Sequence, residues 1–587
     1  MQNRIVFRSS SSEKLVPISP RKFRSISFVI GLLVLVQTSV QAQGNEEWTH
    51  LTGVPAGKGT ATRLVSPQRG ELFQLDHELF RRKVAKVRRA EPSAAVAVGT
   101  EIQLPMPDGS FARFVVVEAP VMEDGLAAKF PDIKTYAGQG IDDAVATVRL
   151  DIAPSGFHAQ ILSPSGAVYV DPAYQGDSNL HISYYKRDLI KPSDGWICET
   201  PAGVVTNSIG SSAEASLNKV QSGATLRTYR LAVACTGEYA AFFGGTASNA
   251  MAAIVAAVNR VDGVYETELA VRLVLIANNN LLVYTNSATD PYSNTSPSSL
   301  LTENQSNIDT VIGSANYDIG HVFSTGGGGL AGLGVVCGTR KAQGETGSSS
   351  PTGDAYWIDY VAHEMGHQFG CNHTFNSVNG SCSGNRNAST AYEIGSGLTI
   401  MAYAGICSPD DLQPHSDPYF HGGSLDEAQA FLAGSGGGCA VNSTTGNTAP
   451  TVSVVGPTNY TIPASTPFVL TATGSDPNGD SLTYIWEEMD AGASAALGSG
   501  DNGSCALFRN LLPTNSPVRT FPKLSSILAN TNWNQEVLPT TSRTMKFRVT
   551  VRDNRVGGGG VSDASMTVAS VAGTGPFVVT SPNTATN

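Results

Sequence analysis

The stretch HEMGHQFGCNH, residues 363–373, holds three of the ten histidines in this 587-residue chain. His363 and His367 are four residues apart, so on a helix both imidazoles lie on one face. Gly370 can adopt the left-handed conformation that ends a helix and turns the chain. His373 can then return to the same metal ion. The spacing therefore predicts a zinc site with three histidine ligands.

The residue after the first histidine, Glu364, is a candidate general base. Three neutral imidazoles leave the fourth position of a tetrahedral zinc site open for water, whose pKa zinc lowers to about 7. Glu364 can take the proton of that water and pass it to a leaving amine. The alternative is a chance match without a metal, but the extended HExxHxxGxxH spacing is far more demanding than HExxH alone.

The residues around this motif predict an α/β segment, because strand patterns alternate with helix patterns. The segment DAYWIDYVAHEMGHQFG (354–370) has a helical pattern that stops at its last glycine. A second helix is predicted in 246–269, with its start at Ser248 or Asn249. The predicted strands are TLRTYRLAVAC (225–235), VRLVLIAN (271–278), DIGHVFS (318–324) and the glycine-bounded LAGLGVVCG (330–338).

The residues before this segment predict a targeting signal and a β-containing block. Residues 1–42 combine basic residues, a short apolar run and a small-residue cleavage site, which is typical of a secretory signal peptide. In the block 43–224, ELFQLDHELFRRKVAKVRRA (71–90) predicts an amphipathic helix, and FARFVVVEAP and ATVRLDIA predict strands. The Ser-, Asn- and Gly-rich residues 203–224 predict an exposed segment that proteases can cut.

The composition changes after the α/β segment. Residues 442–449 predict a linker, and 450–571 show short alternating runs with turn signals, the pattern of an immunoglobulin-like or cadherin-like β-sandwich. Residues 572–587 predict another linker or the start of a further segment. The sandwich carries a candidate calcium site, since oxygen ligands at alternate positions suit calcium; an ordinary turn is the alternative. Its candidate ligands are Asp476, Asn478, Asp480 and Asp553.

Composition and charge exclude some function classes. The net charge is −11, which argues against nucleic-acid binding. The apolar run in the predicted signal is too short to span a membrane, and no other segment is long enough. We therefore expect a soluble, secreted protein. The sandwich is expected to contact a surface, a glycan or a substrate protein, or to serve as a spacer.

The motif and the later stretch SGLTIMAYAGIC (396–407) together resemble the metzincin clan of zinc metalloproteases. The flanking HEMGHQFG, the glycine-rich strand ending in Cys337 and the domain start TYRLAVACTGEY are most similar to bacterial reprolysin/adamalysin-type enzymes. The resemblance covers 225–441 and implies that 43–224 is a propeptide. It also implies that Met401 underlies the zinc ligands without binding the metal.

Two further features follow from the resemblance. Tyr403 lies two residues after Met401, a spacing that resembles astacins and serralysins, where the tyrosine contacts zinc or the developing oxyanion. A packed core tyrosine is the alternative. The glycine-rich residues 326–338 would form the edge strand above the cleft, to which substrate would add as an antiparallel strand. The segment GCNHTFNSVNGSC (370–382) also resembles the pappalysin branch.

The eight cysteines suit an exported protein, and six of them lie between 235 and 439. The resemblance implies a Cys337–Cys439 disulfide, and Cys382–Cys407 is the second pair we expect. Cys198 is the only cysteine in the predicted propeptide. Metzincin propeptides often block zinc with a cysteine thiolate, so Cys198 is a candidate switch. A disulfide from Cys198 to another cysteine is the alternative.

The fold class we predict is multidomain: an α/β metzincin catalytic domain with a mixed twisted sheet and helices, a β-containing propeptide, and a C-terminal all-β immunoglobulin-like sandwich. The predicted function is a secreted, zinc-dependent endopeptidase made as a zymogen. The alternative is a surface adhesion or binding protein with a non-catalytic metzincin fold, against which the intact Glu364 argues. A zinc hydrolase with a glutamate as third ligand is a further alternative, but His373 already fills that place.

Overall fold

The computed structural model describes residues 45–55, 61–90, 99–191, 197–200, 221–531 and 536–578. The predicted signal peptide and most of the predicted cuttable segment lie outside these residues. Within the described ranges, every helix is too short or too polar to cross a membrane.

Residues 45–200, the N-terminal region, form a nine-stranded antiparallel sheet with two short helices. The strand order across the sheet is β1-β2-β9-β8-β7-β6-β5-β4-β3. The elements are β1 (Trp48–Leu51), β2 (Glu71–Leu75), α1 (His77–Val84), β3 (Thr100–Pro105), β4 (Phe111–Glu118), α2 (Asp124–Ala127), β5 (Lys134–Gly140), β6 (Thr147–Ala153), β7 (Gly156–Leu162), β8 (Val168–Pro172) and β9 (Leu180–Tyr185).

The predicted helix over 71–90 is only partly correct. Its first residues form strand β2, which pairs with β1 and β9. The helix begins one residue after Asp76, whose side chain accepts a hydrogen bond from the amide of Leu79. Because an N-cap residue has non-helical backbone angles, Asp76 fixes the boundary between strand and helix. The strands predicted in 111–120 and 146–153 correspond to β4 and β6.

Residues 225–444, the central region, form a six-stranded mixed sheet with helices. Strands β12, β11, β13 and β15 run parallel, while β14 at one edge and β16 beside β11 are antiparallel to their neighbours. The elements, preceded by the two-residue strand β10 (Gln221–Ser222), are β11 (Thr225–Cys235), α3 (Gly237–Phe242), α4 (Ala247–Leu269), β12 (Val271–Leu275), α5 (Pro297–Val311), β13 (Ile319–Ser324), β14 (Gly328–Ala331), β15 (Gly344–Gly347), α6 (Asp354–Tyr356), α7 (His363–Gln368), α8 (Gly422–Ala433) and β16 (Val441–Thr444).

Three predicted boundaries in this region were wrong. Helix α4 starts before the expected residues because Thr246 caps it, accepting a hydrogen bond from the amide of Asn249. The edge strand β14 ends at Ala331, well before Cys337, because Gly334 and Cys337 have positive φ angles of 62° and 65° that turn the chain. The predicted linker 442–449 begins with β16, which pairs with the start of β11.

Residues 450–571, the C-terminal region, form two sheets that share one core. One sheet has the order β10-β23-β22-β20 with β18 beside β23, and the other has the order β17-β19-β21. The elements are β17 (Thr451–Val454), β18 (Asn459–Pro463), β19 (Phe468–Ser475), β20 (Thr483–Glu488), β21 (Val518–Phe521), α9 (Leu524–Ala529), β22 (Arg543–Arg552) and β23 (Val561–Val571). Leu470, Phe521, Trp486 and Phe547 pack between the sheets. An immunoglobulin-like or cadherin-like class stays a prediction.

The C-terminal region packs directly on the central region, and the described residues belong to one compact unit. Arg552 on β22 makes two hydrogen bonds of 2.6 and 2.7 Å to Glu268 on α4, and both side chains are at least 96% buried. The amide of Gly422, at the start of α8, donates to Glu487 on β20. The C-terminal region is therefore not a spacer that is joined to the central region only by a linker.

The N-terminal region also packs on the central region. Lys186, just after β9, is buried between Asp354 and Asp359, with its Nζ 2.7 and 2.8 Å from their carboxylates. Asp359 also bonds His415 at 2.8 Å. These aspartates lie immediately before α7, so the N-terminal region contacts the element that carries the zinc motif.

Candidate active site and metal centre

Helix α7 carries the first two histidines, and its position is set by the turns on either side of it. A π-helical turn, Trp357–Ala362, precedes it, and the hydroxyl of Tyr265 donates to the carbonyl of Ala362 at 2.8 Å. Such turns leave the regular hydrogen-bond ladder and occur often at functional sites. The chain leaves the helix at Gly370, whose φ is 93°, as the sequence predicted. His373 then faces the two helical histidines.

The three histidines share one arrangement of hydrogen bonds. Each Nδ1 contacts a backbone carbonyl at 2.7–2.8 Å, and these carbonyls belong to Ile400, Cys371 and Asn385. Each ring therefore donates from Nδ1 and presents an unprotonated Nε2. The Nε2 atom of His367 lies 3.1 Å from the Nε2 atoms of both His363 and His373. Three lone pairs converge on one point, the arrangement that metal-binding histidines adopt.

Burial keeps these imidazoles neutral. It lowers the pKa of His363 to about 4 and that of His373 to about 3, and it lowers the pKa of His367 well below 6.5. Ligands of a tetrahedral zinc ion with Zn–N bonds of about 2.05 Å would be about 3.3 Å apart. The observed 3.1 Å is close to that separation. The donor set therefore fits zinc.

Cys198 supplies a fourth donor to the same point. Its Sγ lies 3.5 Å from the Nε2 of His367, and all four donor atoms lie within 4.8 Å of one another. A thiolate and an imidazole on one tetrahedral zinc would be about 3.5 Å apart. Cys198 is a free, fully buried thiol, so the alternative of a disulfide is not formed. Burial and the neighbouring Glu364 raise the pKa of this thiol well above 9, whereas a coordinated thiol is deprotonated outright.

The residues around Cys198 occupy the edge of the central sheet. The amide of Gly329 on β14 donates to the carbonyl of Ile197 at 2.9 Å, and the amide of Glu199 donates to the carbonyl of Gly329 at 2.8 Å. This pairing with β14 is parallel. We call residues 197–200 the strap. It fills the groove that the resemblance assigns to substrate, but it runs in the opposite direction to the antiparallel strand expected there.

Glu364 points at the strap and at the edge strand. The hydroxyl of Thr200 donates to its Oε2 at 3.4 Å, while its Oε1 is buried without a partner among the described residues. A Cβ atom at Gly329 would lie only 2.3 Å from this Oε1, so glycine is required there. Burial raises the pKa of Glu364 to about 8, and the neighbouring Cys198 and Thr200 oppose that rise. The carboxyl group can therefore exchange a proton near neutral pH.

Met401 and Tyr403 both lie against the histidines. Met401 is fully buried, and a Cβ at Gly366 on α7 would lie 2.5 Å from its sulfur, so it packs directly under the helix. The ring of Tyr403 contacts His373 with centroids 4.7 Å apart. Its hydroxyl donates to the carbonyl of Cys198 at 2.7 Å. The tyrosine is thus both buried and directed at the strap.

The structure contains the two disulfides that we expected, Cys337–Cys439 and Cys382–Cys407. The first joins the turn after β14 to the residues before β16. The second lies within the segment that follows His373. Among the described cysteines, Cys198, Cys235, Cys371 and Cys505 are free and buried.

The segment between His373 and Met401 rests on the C-terminal region. Glu393 in this segment is fully hydrogen-bonded, accepting from Thr374, Leu398 and Thr399. The side chain of Asn510, from the C-terminal region, also donates to it at 3.3 Å. The wall of the cleft that follows the third histidine is therefore supported by residues more than a hundred positions away.

The predicted calcium ligands are only partly brought together. Oxygen atoms of Asp476, Asp480 and Asp553 lie within 4.8 Å of one another. Asn478 lies on the same turn, but its Oδ1 accepts a hydrogen bond from the amide of Thr448 at 2.8 Å.

Some residues of the site were not predicted from the sequence. Thr200 contacts Glu364, and Gly329 makes room for it. The carbonyls that orient the histidines were also missed, because backbone acceptors leave no signal in residue identity. The position of Thr200, two residues after the candidate switch cysteine, is the one sequence feature that could have indicated its place in the site.

A comparison of the whole chain with curated proteins found no match. Residues 225–430 do match the family model described as Metallo-peptidase family M12B Reprolysin-like. That match coincides with the region that carries the converging histidines and Glu364. This part of the chain is therefore similar to the reprolysin-like metallopeptidases.

Proposed function

We propose that the protein is a secreted zinc endopeptidase that is made as a latent zymogen. The observation that carries the proposal is the convergence of three imidazole Nε2 atoms beside the buried carboxyl of Glu364. His363, His367 and His373 would hold the metal. When bound, zinc would polarise the scissile carbonyl and lower the pKa of a water molecule to about 7.

Glu364 would act as the general base and then as the acid. A carboxyl with a pKa near 8 in the closed site holds a proton well, and opening the groove to water would bring that pKa down. The carboxylate would take a proton from the attacking water and give it to the departing amine. The glycine at position 329 leaves the room that both transfers need.

Tyr403 would stabilise the oxyanion. Its hydroxyl donates to the carbonyl of Cys198, the strap residue whose side chain reaches the histidines. In the processed enzyme a substrate carbonyl would take that place, and the same hydroxyl would donate to it as negative charge develops. This contact favours the catalytic role of Tyr403 over that of a packing residue alone.

The strap would explain latency. Cys198 would occupy the fourth ligand position, and the strap would exclude substrate from β14 by using its hydrogen-bonding groups. Because the strap runs parallel to β14, its peptide groups have the reverse polarity of an antiparallel substrate. Cutting between the strap and β11, within the predicted exposed segment, would release the block. Export would follow from the predicted signal peptide, and protein or peptide chains would be the substrates.

The adhesion alternative gains no support from a specific contact, and the convergence of the three histidines beside Glu364 supports a catalytic site instead. The test is Glu364→Gln in protein that carries an engineered protease site within residues 203–220 and has been cut there. We expect zinc content and melting temperature to stay at parental values while kcat falls by about 10²–10⁴. Glu303→Gln, on α5, is the matched control. Activity within a few-fold of the parent would refute the mechanism.

Tyr403→Phe tests the oxyanion role in the same cut protein. Loss of one oxyanion donor typically lowers kcat by about 10²–10³, with little change in KM. A packing role would instead lower the melting temperature and leave kcat unchanged. Peptide hydrolysis and thermal unfolding, measured on the same preparation, separate the two.

A further inference from the structure

Three carboxylates and one carboxamide meet where the C-terminal region joins the central region. Asp476 and Asp480 come from the turn after β19, and Asp553 follows β22. Asn447 comes from the residues between β16 and β17, and its Nδ2 contacts Asp553 Oδ2 at 2.7 Å and the carbonyl of Gly558 at 3.0 Å. Three separate segments of the chain thus place polar groups at one point.

Two oxygen atoms at this point lack partners among the described residues. Asn447 is 4% exposed, and its Oδ1 is buried without a hydrogen bond. The Oδ2 of Asp476 is also buried without a partner, while its Oδ1 accepts from the amides of Asn478 and Asp480. A buried oxygen without a partner is costly, and most such atoms in proteins are satisfied by a donor, a water or an ion.

The charges at this point also lack balance. The one cation that contacts the group among the described residues is Arg555, whose Nη1 lies 3.4 Å from Asp480. It faces three carboxylates. In the present orientation Nδ2 of Asn447 donates to Asp553 and to the carbonyl of Gly558, and a cation bound at this point would favour a half-turn of the carboxamide that presents Oδ1 there instead. The group would then present oxygen atoms alone.

We propose that Asn447, Asp476, Asp480 and Asp553 bind one calcium ion. Calcium takes six to eight oxygen ligands from carboxylates, carboxamides and backbone carbonyls in irregular geometry, which matches this set better than the octahedral, water-rich sites of magnesium. Nitrogen or sulfur ligands, which zinc prefers, are absent from the described residues of this group. The candidate set differs from the sequence prediction in that Asn447 replaces Asn478.

The position of the ion would give it a structural role. Thr445 and Asn447 belong to the same short connection, and the hydroxyl of Thr445 contacts the carbonyl of Gly223, just before β11. Bound calcium would fasten this connection, the turn after β19 and the loop between β22 and β23 to one another. It would therefore stabilise the junction on which the start of the central region also rests. The inference is independent of the proposed peptidase activity.

The experiment uses full-length protein freed of calcium with a chelating resin and then checked for retained zinc. We expect calorimetric titration with Ca²⁺ to give one site with a Kd of about 10⁻⁵–10⁻³ M, and Mg²⁺ to bind at least about tenfold more weakly. Calcium at a hundredfold excess over Kd should raise the melting temperature by about 2–3 °C. Activity is not needed for either readout.

Variants then locate the site. Asp480→Asn keeps the size of a partly exposed side chain and should weaken calcium binding at least about tenfold. Asn447→Ala should do the same by removing the carboxamide oxygen. Asp132→Asn, at an exposed aspartate of the N-terminal region, is the matched control and should bind like the parent. The proposal is overturned if the parent shows no binding or thermal shift up to about 5 mM Ca²⁺. It is equally overturned if Asp480→Asn, folded as judged by its parental melting temperature without calcium, binds as the parent does.

Discussion

The N-terminal and C-terminal regions both pack on the central region, but they contact different sides of it. The N-terminal region reaches into the groove, where Cys198 lies 3.5 Å from His367. The C-terminal region contacts the back of α4 and the wall after His373, through Arg552 and Asn510. The first contact covers the candidate catalytic groups, whereas the second lies against the elements that hold them.

The two contacts also differ in the kind of interaction that forms them. The strap is joined to β14 by backbone hydrogen bonds, which any extended chain can replace. The Arg552–Glu268 pair is specific and almost completely buried, so separating it would leave Glu268 buried without its salt-bridge partner. We infer that the N-terminal contact is built to be exchanged for substrate and that the C-terminal contact is permanent.

The largest expected effect comes from breaking the strap contact. In full-length protein whose predicted exposed segment has been made resistant to proteases, Cys198→Ser should raise peptide hydrolysis about 10²-fold or more over the equally uncut parent. Serine keeps the shape of the side chain but is a poor zinc ligand at neutral pH. Intact mass must confirm that neither protein has been cut.

The control for this variant is Cys505→Ser, which removes another buried free thiol, in the core of the C-terminal region. It should stay as latent as the parent. If Cys198→Ser is also latent, the thiol is not the block, and the backbone pairing of the strap alone would have to account for latency.

Disrupting the C-terminal contact should lower the stability of the protein instead of raising its activity. Arg552→Met leaves Glu268 buried without its partner, and such changes typically cost about 3–5 kcal/mol. The double variant with Glu268→Met should recover most of that loss, because two apolar side chains can replace a buried ion pair. Denaturant unfolding of the two variants measures the difference. Equal stability of parent and Arg552→Met would contradict a supporting role for this contact.

The smallest expected effect is a difference in pH response between the two contacts. Burial raises the pKa of Glu487, at the C-terminal contact, to about 7. The folded protein therefore binds a proton more tightly than the unfolded chain, and the stabilising effect is lost as pH rises from about 4.5 to 7. Glu487→Gln should raise the free energy of unfolding at pH 8 by about 1–3 kcal/mol and flatten its dependence on pH.

The N-terminal contact should not share this response. Although burial favours its neutral form, Lys186 and His415 hold the pKa of Asp359 well below the usual range. Its contribution is present above about pH 4 and is lost only in stronger acid. Unfolding free energies measured from pH 5 to 8 should therefore vary through Glu487 and not through Asp359. A parent whose stability rises steadily over that range would contradict the assignment.

Local sequence signals were enough for the parts of the site that follow one another along the chain. The helix that ends at Gly370 and the return of His373 follow from spacing and from one glycine. Strand β11 has the bounds that its apolar pattern predicts. Segments whose neighbours in the fold are also neighbours in sequence are well determined in this way.

The remaining parts depend on contacts between distant residues, which pattern and spacing do not encode. The strap pairs residues 197–200 with β14, and the strap's direction follows from the path of the whole N-terminal region. Strand β16 looked like a linker because its polar residues are suited to an edge position beside β11. Asn447 had no distinguishing neighbours, and it became a candidate ligand only when the fold placed it beside Asp553.

The glycines around α7 have a consequence for how this protein tolerates mutation. Gly329, Gly344 and Gly366 each lie where a Cβ would approach a side-chain atom of α7 or of Met401 to within 2.3–2.5 Å. In a library of all single substitutions, even alanine should be depleted at these positions, although none carries a functional group. Glycine costs roughly 0.5–1 kcal/mol of chain entropy relative to alanine. The close packing of the edge strand against the helix therefore costs chain entropy on folding. The glycines of residues 326–338 serve this packing, and the stretch is not a flexible loop.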